Sequence, residues 1–167
     1  MIDFLIALGW AIWYVLPAYI ANAMPTILGG GVPIDGGKKM GDGRPVFGSH
    51  KTVRGFGVGV LFGSLVGFVQ AATLGPILRI CSGILQGLGA MLGDLAGSFI
   101  KRRKGIKPGD PLPLLDQLDF VLGAVALSYL VEPFSLITFL LILFITPPLH
   151  VLTNVIAYLL KIKEKPW

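Results

Sequence analysis

Apolar residues run along the chain in long unbroken blocks, and the polar residues are confined to the gaps between them. Crossing the hydrocarbon layer takes roughly 20 mainly apolar residues in a helix. Blocks of that kind predict five membrane-spanning helices, at about 3–24, 55–74, 77–101, 116–131 and 134–160. Pro25 ends the first, and a tight turn at Glu132-Pro133 joins the short fourth to the fifth. The expected fold class is an all-α integral membrane protein forming one domain over 1–167, with polar loops at about 25–54 and 102–115. The first block has no basic leader and no small-residue cleavage site, so it reads as a retained span.

Within the blocks the small residues are periodic. Gly55, Gly59, Gly63 and Gly67 are four apart, as are Gly83 and Gly87, and then Gly89, Gly93 and Gly97. Residues at that spacing share a helix face and let two backbones approach closely. Pro147-Pro148 interrupts the last block and predicts a kink, because proline lacks a donor and crowds the preceding turn. His150 and Asn154 follow, four apart, and read most simply as interhelical hydrogen-bonding groups.

Composition fits this picture. Hydrophobic residues make up 54% and charged residues 14%, well below the ~25% charged of a soluble domain. Cys81 is the only cysteine, which excludes an intrachain disulfide and a cysteine zinc cluster. Every Lys and Arg except Arg79 lies in the first loop, the second loop or the C-terminal tail. An alternating five-span path puts all three stretches on one side. Positive loops face the cytoplasm, so the N-terminus is expected outside and the C-terminus inside. A bilayer is thus one partner; no nucleic-acid partner is expected, and the chain is compatible with a homo-oligomer.

Candidate chemistry gathers on that same side. Asp94 lies seven residues before Lys101, roughly 10 Å into the third helix. A carboxylate near a helix centre costs about 2.5–3.5 kcal/mol to insert, so it is expected to face a polar cavity and a partner. Ser98 and Lys101 share its face. Asp116 and Asp119 are three apart at the start of the fourth helix, with Asp110 in the loop before it. Hard carboxylate oxygens near phosphates suit magnesium. The glycine-rich first loop supplies Lys51, Thr52 and Arg54, suited to holding phosphates. Basic groups beside carboxylates serve phosphoryl or nucleotidyl transfer, and no Ser-His-Asp or Cys-His arrangement stands out.

The run Gly93-Asp94-Leu-Ala-Gly-Ser98-Phe-Ile-Lys101-Arg102, followed by Lys107, Asp110, Pro113, Asp116 and Asp119, resembles the signature of the membrane CTP-dependent cytidylyltransferases that make CDP-diacylglycerol. It departs from that signature at Pro108, in lacking a His-Gly-Gly run, and in having Gln117 where arginine is usual. The chain's size and the segments Asn22-Ala-Met-Pro25, Pro33-Ile-Asp35, Gly43-Arg44 and Gly48–Gly55 resemble the archaeal branch, the CDP-archaeol synthases. The resemblance implies magnesium, CTP and a geranylgeranyl ether-lipid phosphate. It implies metal ligation by Asp94, Asp116 and Asp119, with Asp94, Lys101 and Asp119 catalytic. Asn22, Asp35, Arg44, Lys51, Thr52, Arg54, Ser98, Arg102 and Asp110 are the expected nucleotide-binding set. A CTP-dependent polyprenol kinase and a small membrane transporter are the competing readings.

Overall fold

A computed structural model describes residues 2–73 and 75–166. Five helices follow in order: α1 Ile2–Leu28, α2 Val53–Thr73, α3 Leu78–Arg103, α4 Leu115–Ser128 and α5 Leu136–Leu159. Leu74, the expected end of the second span, lies outside the described residues. Among the described residues the only strand-like pairings are two isolated antiparallel bridges, Pro33–Thr52 and Lys39–Pro45, both within the first loop. Four helices are long and apolar enough to cross a membrane; α4 is the exception. Its 14 residues rise only about 21 Å.

The glycine tracks set the layering. Gly87 and Gly89 are two residues apart, hence about 200° around a helix, so the two tracks of α3 look in opposite directions. On one side, a Cβ at Gly63 would lie 2.7 Å from the Gly87 Cα, and one at Gly67 would lie 2.7 Å from the Gly83 Cα. On the other, a Cβ at Gly89 would come 2.3 Å from the Gly123 carbonyl oxygen, and one at Gly93 2.1 Å from that of Asp119. α3 is therefore clasped between α2 and α4 at backbone contact.

α1 does not stop at Pro25; it continues for another three residues to Leu28. Proline removes the bond to the carbonyl four residues back, and α2 packs against the freed carbonyl at both prolines of α1, donating to the first. Gln70 Nε2 donates to the Trp13 carbonyl that Pro17 leaves open. The Ala21 carbonyl that Pro25 leaves open lies against Gly59, 2.9 Å from where a Cβ would stand. Neighbouring helices are what make proline tolerable inside a membrane helix. α5 likewise stays helical through Pro147-Pro148. The turn expected at Glu132-Pro133 comes earlier: α4 ends at Ser128, and residues 129–131 turn the chain.

The core is small side chains from α1 (Ala11, Val15, Ala18, Ala21) closed by Phe120, Val121, Ala124 and Val125 of α4. α5 contributes little, burying only Ile142 and Thr146. Its other side chains suit contact with lipid.

Arg79, the one basic residue outside the loops and tail, is also accounted for. It pairs with Glu132 at 2.9 Å, 8% exposed, and stacks over the Tyr14 ring. The Tyr14 hydroxyl meets Ser128 at 2.9 Å and the Glu132 carbonyl at 3.1 Å. This polar clamp joins α1 and α3 to the α4–α5 turn. Breaking a buried pair by removing one partner strands the other charge. Glu132→Ala is expected to lower stability by about 3 kcal/mol. Thermal unfolding in detergent checks this; an unchanged midpoint would mean the clamp contributes nothing.

Candidate active site

The other end of the bundle carries the charges. Gly93 and Gly97 admit α4 so closely that a Cβ at Gly97 would meet the Asp119 carboxylate. Gly97 is three residues beyond Asp94 and four before Lys101, so all three share a face, and Asp119 lies over it. Asp116, one turn before Asp119, accepts the Lys101 ammonium on both oxygens at 2.8 Å. Its Oδ2 also accepts the Leu112 N–H at 2.8 Å, tying the second loop to the start of α4. Asp94 accepts Lys51 on both oxygens, at 2.7 and 2.6 Å. Asp119 enters neither pair; its Oδ1 accepts the Phe120 N–H at 2.6 Å. The Lys51 and Asp94 side chains are 27% and 26% exposed, open enough for a ligand to reach.

Lys51 is delivered by a loop that other predicted site residues build. Asp35 is 8% exposed, and its carboxylate accepts the N–H groups of Gly37 and Phe47 at 2.9 Å and Gly48 at 3.0 Å. Burial alone would push its carboxyl up, but the N–H donors of Gly48, Phe47 and Gly37 outweigh burial and hold it below its ordinary value. The stability it contributes is present above the ordinary carboxylate range and lost as pH falls through the lowered value. Gly48 has φ +101° and packs against Pro108 and Arg102. The two short pairings then bring the strand-like ends together, with the Ile34 N–H on the Lys51 carbonyl at 2.8 Å. Thr52 caps α2: its Oγ1 accepts the Gly55 N–H at 3.1 Å.

Three further residues fasten the loops to α3. Ser98 Oγ donates to the Phe47 carbonyl at 2.8 Å. Arg102, 3% exposed, donates to the Lys107 carbonyl at 3.1 Å, and its Nε is buried without a partner. Arg44 donates to the Arg103 carbonyl, while Arg103 donates to the Pro45 carbonyl and pairs with Asp42 at 2.6 Å.

The sequence-predicted set thus divides. Lys51, Asp94, Lys101, Asp116 and Asp119 come together. Asp35, Arg44, Thr52, Ser98 and Arg102 engage the backbone that holds them. Arg54 is exposed on the first turn of α2, and Asn22 is half-buried on α1 beside Ala21. Asp110 is turned towards the tail, 3.8 Å from Lys165. Asp42 and Arg103 were not foreseen as a brace; opposite charges on two polar loops are the only sequence signal they carry.

Asp35→Ala would leave three backbone donors without their acceptor. Each buried unsatisfied group costs about 1–3 kcal/mol, so the variant is expected to lose at least that much stability and to free the loop that carries Lys51. Thermal unfolding in detergent reads the effect, and an unaltered midpoint would show the loop keeps its shape without Asp35.

As the side chains stand, no three His, Cys, Asp or Glu groups among the described residues converge on one point. The donor chemistry nonetheless fits a hard divalent cation: Asp94 and Asp116 already turn both oxygens towards a positive charge, and Asp119 lies over the same face.

Apolar helices that suit the bilayer, with ammonium–carboxylate pairs clustered at one end, define a helical membrane protein with a charged candidate site. Comparisons with known proteins give its family. The family model described as CarS-like, CDP-archaeol synthase, matches residues 1–167. A CDP-archaeol synthase of Methanopyrus kandleri is 52% identical over 164 residues, covering 96% of this chain and 94% of that protein. One from Pyrococcus furiosus is 47% identical over 161 residues, covering 94% and 96%. A solved structure described as an intramembrane enzyme for archaeal membrane lipid biosynthesis is 42% identical, with a TM-score of 0.82, covering 87% of this chain and 92% of that one. The chain belongs to the CDP-archaeol synthase family.

Proposed function

We propose that this chain transfers the CMP group of CTP to 2,3-bis-O-geranylgeranyl-sn-glycerol 1-phosphate, giving CDP-archaeol and pyrophosphate, at the α3–α4 acid face. Family membership makes it a CTP-dependent cytidylyltransferase of archaeal lipid biosynthesis acting on a lipid phosphate. Membership also sets aside the polyprenol kinase and transporter readings. The observation that carries the choice of site is the pair of ammonium–carboxylate contacts, the accessible Lys51–Asp94 and the more buried Lys101–Asp116, beside Asp119.

A lipid phosphate oxygen attacks the α-phosphorus of CTP. The new O–P bond forms as the bond to the bridging α–β oxygen breaks, and that oxygen leaves on pyrophosphate with its electron pair. The nucleophile is already anionic near neutral pH, so no strong general base is needed. The side chains must position both substrates and neutralise crowded negative charge. Lys51 and Lys101 do this by exchanging a carboxylate partner for a phosphate. Asp94, Asp116 and Asp119 would hold magnesium, which supplies further charge neutralisation at phosphate oxygens when bound. Ser98, Arg102, Asp35, Arg44 and Thr52 hold the loops around the nucleotide, with Asn22, Arg54 and Asp110 at the periphery.

Five crossings, with the N-terminus outside and this site facing the cytoplasm, fit the basic loops and tail and the supply of CTP from that side. Every residue in the scheme comes from one chain, so it works with or without a partner copy. Incubation of purified protein with magnesium, lipid phosphate and CTP labelled at either the α- or the γ-phosphorus tests the reaction. Label from the α-position alone should enter the lipid, with pyrophosphate released; γ-label in the lipid would instead indicate a kinase.

A further inference from the structure

The C-terminal tail returns to the charged site. α5 ends in a reversal: Lys161 adopts φ +59°, its N–H reaches the Tyr158 carbonyl at 2.9 Å, and the Ile162 N–H reaches that of Ala157 at 2.9 Å. This is the geometry of a helix C-cap that usually recruits glycine, so a lysine there keeps a disfavoured conformation. The turn sends the next residues back along α5. Lys163 Nζ donates to Asn154 Oδ1 at 2.8 Å, and Asn154 Nδ2 lies 3.1 Å from His150 Nδ1. Lys163 is half-buried, whereas Ile162 and Glu164 on either side are exposed. Two residues on, Lys165 reaches Asp110 of the second loop.

This brings a tail lysine towards the start of α4. Asn154, which holds Lys163, also meets His150, and the His150 ring lies 6.0 Å from that of Phe120, the residue after Asp119. Burial first, and then Lys51, lower the affinity of the Lys163 ammonium for its proton, with Asp116 opposing. A half-buried ammonium beside a face suited to phosphates can receive an anion. That anion need not be the nucleotide. α5 is the least covered of the four long apolar helices, with 11% of its apolar stretch buried. Leu152, Val155, Ile156 and Leu159 are exposed along its final turns. Isoprenoid chains lying on that surface would bring their phosphate to the end of α5, where the tail folds back.

We propose that Lys163, held by Asn154 and by the reversal at Lys161, receives the phosphate monoester of the lipid acceptor beside the α3–α4 acid face. This rests on the cytidylyltransferase reading and adds a separate acceptor-phosphate contact to it. His150 acts through Asn154 as a positioning residue.

The test uses the full chain in detergent, with CTP and 2,3-bis-O-geranylgeranyl-sn-glycerol 1-phosphate varied separately. A charge-assisted contact to phosphate predicts that Lys163→Ala raises the lipid-phosphate KM by about 10- to 100-fold and leaves the CTP KM within about twofold. Lys163→Arg should recover most of the loss, and Asn154→Ala should shift the same KM by less. Without turnover, the lipid phosphate should raise the unfolding temperature of the parent protein but not of Lys163→Ala, while CTP should stabilise both. An unmoved lipid KM, or an equal rise in both KM values, overturns the proposal; the latter would give Lys163 to the nucleotide or to the fold. If the parent protein made no CDP-lipid from labelled CTP, the underlying reaction would fail instead, a result distinct from normal turnover with an unmoved lipid KM.

Discussion

Asp94→Asn is expected to cut CDP-lipid formation by about 10²–10³-fold or more, the scale seen when one preorganised electrostatic contact is removed, without unfolding the protein. Asparagine keeps the shape of the side chain and removes its charge. Lys51 then has no carboxylate to hold it in place before CTP arrives, and the acid face loses a candidate metal ligand. The stability effect should be small: both partners of the pair are about a quarter exposed, and partly solvated pairs contribute about 0–1 kcal/mol. Initial rates and thermal unfolding, measured on the same preparation, separate the two effects. Turnover within about threefold of the parent would remove Asp94 from the reaction centre.

Gly93→Ala should damage both stability and activity. The added Cβ would stand 2.1 Å from the Asp119 carbonyl oxygen, a backbone atom that cannot swing aside. α4 must retreat, and overpacking of this kind costs about 1–3 kcal/mol. The same retreat carries Asp116 and Asp119 away from Asp94, and a displacement near 1 Å can cost about 10²-fold in rate. Gly57→Ala is the control. Nothing lies within 4 Å of a Cβ there, and alanine favours helix over glycine by about 1 kcal/mol, so this variant should be active and no less stable. Equal behaviour of the two variants would mean that the α3–α4 approach does not hold the site.

Several features were legible because they obey a period or carry a cost. The glycines at four-residue spacing announced close helix contact, and Gly63–Gly87 and Gly67–Gly83 deliver it. An aspartate seven residues inside an apolar helix required a partner, and Lys51 is that partner. Less legible were features that depend on contacts between distant segments. Pro25 read as a stop because a helix in isolation leaves the Ala21 carbonyl open; Gly59 of α2 packs against that carbonyl, and the rule for one helix gives way to the packing of two. Asp35 read as a ligand group, since its three N–H donors assemble only once the loop has folded. Arg79 and Glu132 are separated by the whole of α4 and most of α3, and no local pattern joins them. The tail read as a topology signal only, because the reversal at Lys161 uses a residue that gives no turn signature.

The central claim is that the α3–α4 acid face is where nucleotide and metal meet. Manganese substituted for magnesium, in crystals grown with a non-hydrolysable CTP analogue, can be located by its anomalous scattering. The account expects a peak within bonding distance of carboxylate oxygens drawn from Asp94, Asp116 and Asp119, with the analogue's phosphates against Lys51. A well-ordered nucleotide with its manganese bound away from all three carboxylates would contradict it.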